Sequence, residues 1–192
     1  MVRISHLSKS FGDNAVIRDL TLTLPDGGVT VLVGPSGSGK TTLANLLLGL
    51  LPPDGGAIEG IAGKRLAAVF QEDRLCEQMS ATGNVRLVLG TPTTAASAGI
   101  RRELLAVGLD EESVTKPVSQ LSGGQRRRVA IVRAMMATSD FLCLDEPFKG
   151  LDEATKERTM TYVSERIVGK TVLLITHDPA EAARFEGTRV SL

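Results

Sequence analysis

The sequence contains no tryptophan, one tyrosine (Tyr162) and five phenylalanines among its 192 residues. So few rings leave little on which unpaired bases could stack, which argues against a single-stranded nucleic-acid platform. Charge of one sign is lacking too, because 22 Lys and Arg are matched by 22 Asp and Glu. A formal net charge of zero removes the basic field through which DNA-binding proteins gain affinity. Two cysteines, Cys76 and Cys143, are too few and too far apart for a disulfide framework or a zinc site. Cys143 lies in an apolar run and reads as a small core residue, and reduced thiols suit the cytosol. The longest apolar stretch, "LLLGLL" near residues 43–51, falls far short of the roughly 20 residues of a membrane span. The N-terminus lacks the apolar block of a signal peptide. What these absences leave is a soluble chain, 42% hydrophobic and 23% charged, long enough for a core and expected to meet a membrane only through a partner.

What is present is an alternation of strand and helix patterns. Residues 2–7 and 16–24 alternate apolar and polar side chains, as half-buried antiparallel strands do, and "PDGG" at 25–28 is a turn. Val29 to Val33 is a continuous apolar run suited to a strand buried on both faces, and 65–70, 141–144 and 171–176 look alike. Helix-like stretches fall at 40–50, 126–138, 152–168 and 179–184. This pattern predicts an α/β chain with a mostly parallel central sheet, helices on its faces and an N-terminal antiparallel β part. Residues 75–120 read instead as amphipathic helices with Ser80 as an N-cap, an inserted helical subdomain within a single domain spanning 1–192.

The chemistry begins at Gly34, Pro35, Ser36, Gly37, Ser38, Gly39, Lys40 and Thr41, followed by Thr42. The run fits G-x-x-x-x-G-K-[ST] between a strand and a helix, the context of a phosphate-binding loop. Backbone amides freed by the glycines form an anion nest, and the helix N-terminus adds partial positive charge. Lys40 is placed to reach β- and γ-phosphates, and the Thr41 hydroxyl to ligate Mg²⁺. A glycine turn without a ligand is the plain alternative, and the flanking strand and helix disfavour it. In "FLCLDEP" an apolar strand ends in Asp145 and Glu146, where open α/β sheets bind ligands. Asp145 suits the organisation of Mg²⁺ and Glu146 the polarisation of a water as general base. An acidic turn before Pro147 would be the ordinary reading of an isolated Asp-Glu; beside a phosphate loop the balance reverses.

A second stretch, "LSGGQRRRVAIVRAMM", opens another helix. Ser122, Gly123, Gly124 and Gln125 supply a hydroxyl N-cap and exposed amides, again a phosphate-binding geometry. It has no lysine of its own and no partner strand with carboxylates. Alone it is half a site.

"LSGGQ", the Arg-rich helix after it and then "FLCLDEP" together resemble the ATP-binding-cassette family of transporter ATPases, a branch of the P-loop NTPases. Six motifs occur in family order: the phosphate loop 34–42, Gln71 in "VFQ", "LSGGQ" at 121–125, Asp145 with Glu146, Asp152 in "GLD" and His177 in "ITHD". The resemblance implies a Mg²⁺-dependent ATPase working as a head-to-tail dimer, with Ser122, Gly123 and Gly124 covering the γ-phosphate held by the other copy. It further implies that Phe11 stacks on adenine with Val16 beside it, that Gln71 touches Mg²⁺ and the attacking water, that His177 contacts the γ-phosphate, and that Asp152 lies at the dimer interface. Each has a plainer alternative: a core Phe, a solvated Gln, a structural His, a helix N-cap at Asp152. ATP and Mg²⁺ are the implied cofactors. The implied partners are a second copy or a paralogous cassette, integral membrane permease subunits and a solute-binding protein, with no nucleic acid. The implied location is cytoplasmic, peripheral on the inner face of the cell membrane.

The sequence departs from the family pattern in places. Lys149 and Gly150 stand where small residues usually precede "LD", Gly83 where relatives often carry Glu, and the chain ends too soon after His177 for the C-terminal regulatory domain of some relatives. "VFQEDRL" is similar to the nitrate, sulfonate and taurine importer ATPases. Two other function classes compete. A cassette acting on DNA or ribosomes usually carries coiled coils or tandem copies, neither of which occurs here. A small-molecule kinase or GTPase leaves "LSGGQ" unexplained.

Overall fold

The computed structural model describes residues 1–89 and 94–192. Residues 90–93, inside the segment read as an inserted helical subdomain, lie outside the described residues. The chain packs as two compact units, Met1–Ala68 with Ser139–Glu146 and Val168–Leu192, and Val69–Thr138 with Pro147–Ile167.

The first unit contains two sheets. Strands β1 (Val2–Phe11), β2 (Asn14–Leu24) and β4 (Gly55–Glu59) form an antiparallel sheet in the order β2-β1-β4. Strands β3 (Val29–Val33), β5 (Leu66–Val69), β6 (Phe141–Asp145), β7 (Thr171–Ile175) and β8 (Thr188–Ser191) form the central sheet in the order β5-β6-β7-β3-β8. β6 with β7, β7 with β3 and β3 with β8 pair in parallel. Every residue of β6 and β7 is buried, which is why both read as unbroken apolar runs. β4 and β8 are absent from the periodicity-based expectation. "GGAIE" and "TRVS" are mostly exposed and carry few apolar residues, so neither shows the alternation that marks a half-buried strand. Both are edge strands held by backbone pairing.

Helix α1 (Lys40–Leu47) packs Leu43, Ala44, Leu46 and Leu47 into a core with Val2, Ile4, Leu7 and Leu24 of the antiparallel sheet and Leu32, Phe141, Leu173 and Ile175 of the central sheet. One hydrophobic core therefore joins both sheets to the helix that follows the phosphate loop. Cys143 belongs to it, and burial pushes its thiol far above its ordinary pKa, which leaves it inert near neutrality. Helix α7 (Pro179–Arg184) leads into β8.

The second unit is helical: α2 (Ala81–Arg86), α3 (Thr94–Ala106), α4 (Glu111–Thr115), a 3₁₀ turn at Val118–Gln120, α5 (Gly123–Met136) and α6 (Glu153–Arg166). Ser80 caps α2 as expected, accepting from the Gly83 amide at 3.0 Å. Fully buried Asn84 accepts from the Cys76 amide and donates to the carbonyls of Cys76, Met79 and Ser80. One side chain thus cross-braces a turn whose carbonyls also accept backbone amides.

The turn between β2 and β3 is tied down electrostatically. Asp26 accepts from Lys64 Nζ at 2.8 Å, and Thr171 Oγ1 of β7 accepts from the Gly27 amide at 3.2 Å. The Lys64 hydrogen bond, ahead of any other influence, holds the Asp26 carboxyl at about 2. A carboxyl with a depressed folded pKa takes up its proton more readily in the unfolded chain. Its stabilising contribution is therefore complete above the ordinary carboxylate value near ~4 and is lost as pH falls toward about 2. Asp26→Asn is expected to flatten the decline of the urea midpoint across that window and to leave the midpoint difference between neutral and mildly acidic solution unchanged. An identical acid decline in both proteins contradicts the assignment.

Candidate functional site

The phosphate loop leaves β3 at Val33 and enters α1 at Lys40, the strand–loop–helix context expected of it. Gly39 is the helix N-cap with φ +97°, and no side chain caps the first-turn amides there. Gly37 is also left-handed, at φ +81°. Both conformations are open to glycine at little cost and strained for other residues. At Gly39 a Cβ would sit 3.0 Å from Val16 Cγ1 and 3.1 Å from the Val16 carbonyl oxygen, so Val16 of β2 lies directly against the loop.

Lys40 is 7% exposed. Its Nζ donates to the carbonyls of Gly34 at 2.9 Å and Pro35 at 2.7 Å, with Ser38 Oγ at 3.5 Å. The loop therefore wraps its own cation and fixes that charge beside its amides. Thr41 Oγ1 donates to Asp145 Oδ2 at 2.7 Å, joining the first turn of α1 to the last residue of β6. Asp145 is buried, as a carboxylate at the end of a doubly covered strand must be.

Glu146 follows with φ +46°, a left-handed conformation that is strained for a residue with a Cβ. Its amide donates to the Ile175 carbonyl at 2.9 Å, which anchors the strand end to β7. Its Oε1 lies 3.1 Å from His177 Nδ1. The Glu146 side chain is 16% exposed and that of His177 64%, a carboxylate within reach of water and an imidazole facing it. The turn bearing His177 is held by a pair that the sequence reading did not single out. Thr176 Oγ1 donates to buried Glu181 at 2.5 Å and accepts from the Asp178 amide at 3.0 Å. A carboxylate at 5% exposure on a short helix that otherwise buries only Ala182 is the signal, legible only once burial is known.

Phe11 ends β1 and is 49% exposed, which excludes the reading of a core ring. Lys9 lies 5.7 Å from the ring centroid and also pairs with Asp54 Oδ1 at 2.7 Å, while Asp54 Oδ2 accepts from the Ser10 amide. These bonds fix the strand end that presents the ring. Hydrogen bonding to Lys9, then to the Ser10 amide, holds the Asp54 carboxyl below its ordinary value. Phe11, Val16, Gly34 to Thr42, Asp145, Glu146 and His177 thus all belong to the first unit.

Gln71, Ser122 to Gln125 and Asp152 belong to the second. Gln71 is exposed two residues beyond β5 rather than at its end. Ser122 caps α5 through a reciprocal box: its Oγ accepts from the Gln125 amide at 3.2 Å and its own amide donates to Gln125 Oε1 at 2.9 Å. Gln125 Nε2 reaches Ser113 Oγ at 2.9 Å. Asp152 is the N-cap of α6 and accepts from the Thr155 amide at 3.0 Å. Gly124 packs against this same turn, since a Cβ there would lie 3.4 Å from Leu151 Cδ2 and 3.6 Å from the Gly150 carbonyl oxygen.

Comparison with known proteins decides the family. The family model described as ABC transporter matches residues 17–149. The chain belongs to the ABC transporter family. It is 41% identical to the taurine import ATP-binding protein TauB of Escherichia coli O157:H7, over all of this chain and 79% of that protein. The corresponding protein of Pseudomonas aeruginosa PAO1 is 42% identical over 88% of this chain and 68% of its own length. Among solved structures, the dimeric bacterial ABC transporter cassette MJ0796 superposes with a TM-score of 0.90 at 27% identity, covering 100% of this chain and 94% of that one. The same cassette in a post-hydrolysis state bound to ADP and Pi gives the same values. This ABC cassette is an ATP-binding, ATP-hydrolysing protein of the kind that drives transport. No helix among the described residues is long and apolar enough to cross a membrane.

The Thr176–Glu181 contact carries its own test. Thr176→Val keeps the shape but removes one hydrogen-bond donor from the buried Glu181 side chain, a loss of about 1.5–3 kcal/mol for a hydrogen bond to a charged group. The urea midpoint is expected to fall accordingly, and an unchanged midpoint contradicts the contact.

Proposed function

We propose that two copies of this chain close head to tail around ATP and Mg²⁺, and that hydrolysis reopens them to power a membrane permease. The observation that carries this reading is the presence of two unequal anion sites. The loop of Gly34 to Thr41 has amides, a fixed cation at Lys40 and carboxylates at the end of β6. The N-terminus of α5 offers the exposed Gly123 amide and the Ser122 hydroxyl, with no lysine in its motif. A half-site of this kind gains a purpose when it covers the γ-phosphate held by a second copy, with Asp152 in the same contact. The dimeric cassette that this chain resembles supports that arrangement.

The residues fit Mg²⁺. Thr41 Oγ1 and Asp145 Oδ2 are hard oxygen donors 2.7 Å apart, and no group of three or more His, Cys, Asp or Glu among the described residues forms a self-sufficient metal cage. A site with few protein oxygens suits an ion that retains waters and takes phosphate oxygens as ligands. Thr41 and Asp145 would hold Mg²⁺, as the family resemblance also implies for Gln71, and the ion would supply neutralisation of phosphate charge. Lys40 adds a fixed cation, Phe11 stacks on adenine, and Val16 flanks it. Glu146 takes the proton of the attacking water, and His177, held 3.1 Å from Glu146 Oε1, contacts the γ-phosphate. With relatives named for taurine import, we place this ATPase in an importer of that group, joined to permease subunits and supplied by a solute-binding protein.

Glu146→Gln separates binding from chemistry. The amide retains the side chain's size but cannot accept the proton, so hydrolysis is expected to fall roughly 10²- to 10⁴-fold. Because Lys40, Thr41 and Asp145 are untouched, the ATP-bound dimer accumulates and is visible by size-exclusion chromatography. Turnover at the wild-type rate removes Glu146 as the base.

Mixing Lys40→Ala with Ser122→Ala tests the shared site. Each homodimer lacks a component of both its sites, whereas the heterodimer rebuilds one intact site. Activity is expected to reappear on mixing. Mixtures that stay as inactive as their components rule out the head-to-tail reading.

A further inference from the structure

We propose that Arg127 is a positioning residue for Gln71: its guanidinium clamps the backbone on either side of Gln71 to α5 and so fixes where the glutamine side chain stands. This rests on the reading of Gln71 as a residue of the hydrolytic site. Arg127 is buried at 7% exposure in the second turn of α5. Its Nη1 donates to the Phe70 carbonyl at 2.6 Å and its Nη2 to the Gln71 carbonyl at 2.5 Å, with Nε 3.3 Å from Asp73 Oδ1. Its contacts thus all fall on the four-residue segment 70–73, and both hydrogen bonds go to the two carbonyls that bracket the Gln71 backbone.

Two features separate this contact from ordinary packing. Charge-assisted hydrogen bonds are short and roughly twice as strong as neutral ones, and the planar fork of Arg makes both at once, which the point charge of Lys cannot. Further along the same helix, Arg133 repeats the grip, donating to the Asp73 carbonyl at 3.0 Å and the Arg74 carbonyl at 2.8 Å. Four carbonyls between Phe70 and Arg74 are therefore held by two guanidinium groups of α5. That helix is the one capped by Ser122. The Gln71 backbone and the Ser122 hydroxyl consequently stand on one rigid body, and an exposed glutamine on an otherwise irregular loop acquires the placement that catalysis requires.

The test is a double-mutant cycle on the full chain, with hydrogen exchange as an independent readout. Arg127→Met is expected to lower kcat roughly 10- to 100-fold, the scale of a side chain displaced by about 1 Å. KM for ATP stays within about twofold, because the phosphate loop belongs to the other unit. In the absence of nucleotide, amide exchange across residues 70–74 accelerates, while that of β3 and α1 does not change. In the Gln71→Ala background, adding Arg127→Met costs less than about twofold, since a positioning residue has nothing left to position. Two full, multiplicative losses overturn the inference and leave the role of Gln71 standing. A Gln71→Ala protein with wild-type kcat overturns the reading of Gln71 and the inference with it. Arg127→Lys, which keeps the charge but loses the fork, runs through the same cycle with a smaller first loss and serves if Arg127→Met does not fold.

Discussion

The 2.7 Å hydrogen bond from Thr41 to Asp145 is the contact on which the site's geometry depends. It fastens the first turn of α1, and with it the phosphate loop, to the end of the central strand β6. Both ends of the bond are anchored in one hydrophobic core: Leu43, Leu46 and Leu47 below Thr41, and Phe141 and Cys143 behind Asp145. A polar site assembled from two segments more than a hundred residues apart in sequence is thus held by apolar packing beneath it. Oxygens held this way by packing meet the condition under which fixed dipoles and charges lower a barrier rather than merely follow it.

The glycines play the complementary part. They let the chain pass close to its neighbours where a side chain would block it, as at Gly39 against Val16. The same close approach places β2 of the antiparallel sheet beside the loop, and β1 delivers an exposed aromatic ring at its far end, braced by Lys9 and Asp54. The exposed ring of Phe11 and the loop of Gly34 to Thr41 are therefore carried by different sheets joined by one core.

Much of this was legible in the sequence, and the reasons are physical. Strands buried on both faces announce themselves as apolar runs, so β3, β6 and β7 were found nearly residue for residue; the edge strands β4 and β8, with little to bury, were not. The phosphate loop and the Ser122 cap were visible because their function needs glycines and hydroxyls at fixed spacing. Phe11 was ambiguous because exposure is not a property of local sequence, and only the fold separates a presented ring from a core one. Glu181 and Arg127 were invisible as site residues for a related reason. Charged side chains on helices look solvated until burial and a partner's carbonyl oxygens show otherwise.

The left-handed backbone at Glu146 has an evolutionary consequence. A residue with a Cβ gives up about 1–2 kcal/mol in that conformation, and glycine would recover much of it. Selection for thermal tolerance alone would thus favour losing the carboxylate at this position, whereas the proposed role of Glu146 as general base would oppose that loss. In a laboratory lineage evolved for heat resistance without a demand for ATP hydrolysis, this backbone position would be among the first to drift, toward a sturdier cassette that, on the proposed role of Glu146, is also silent.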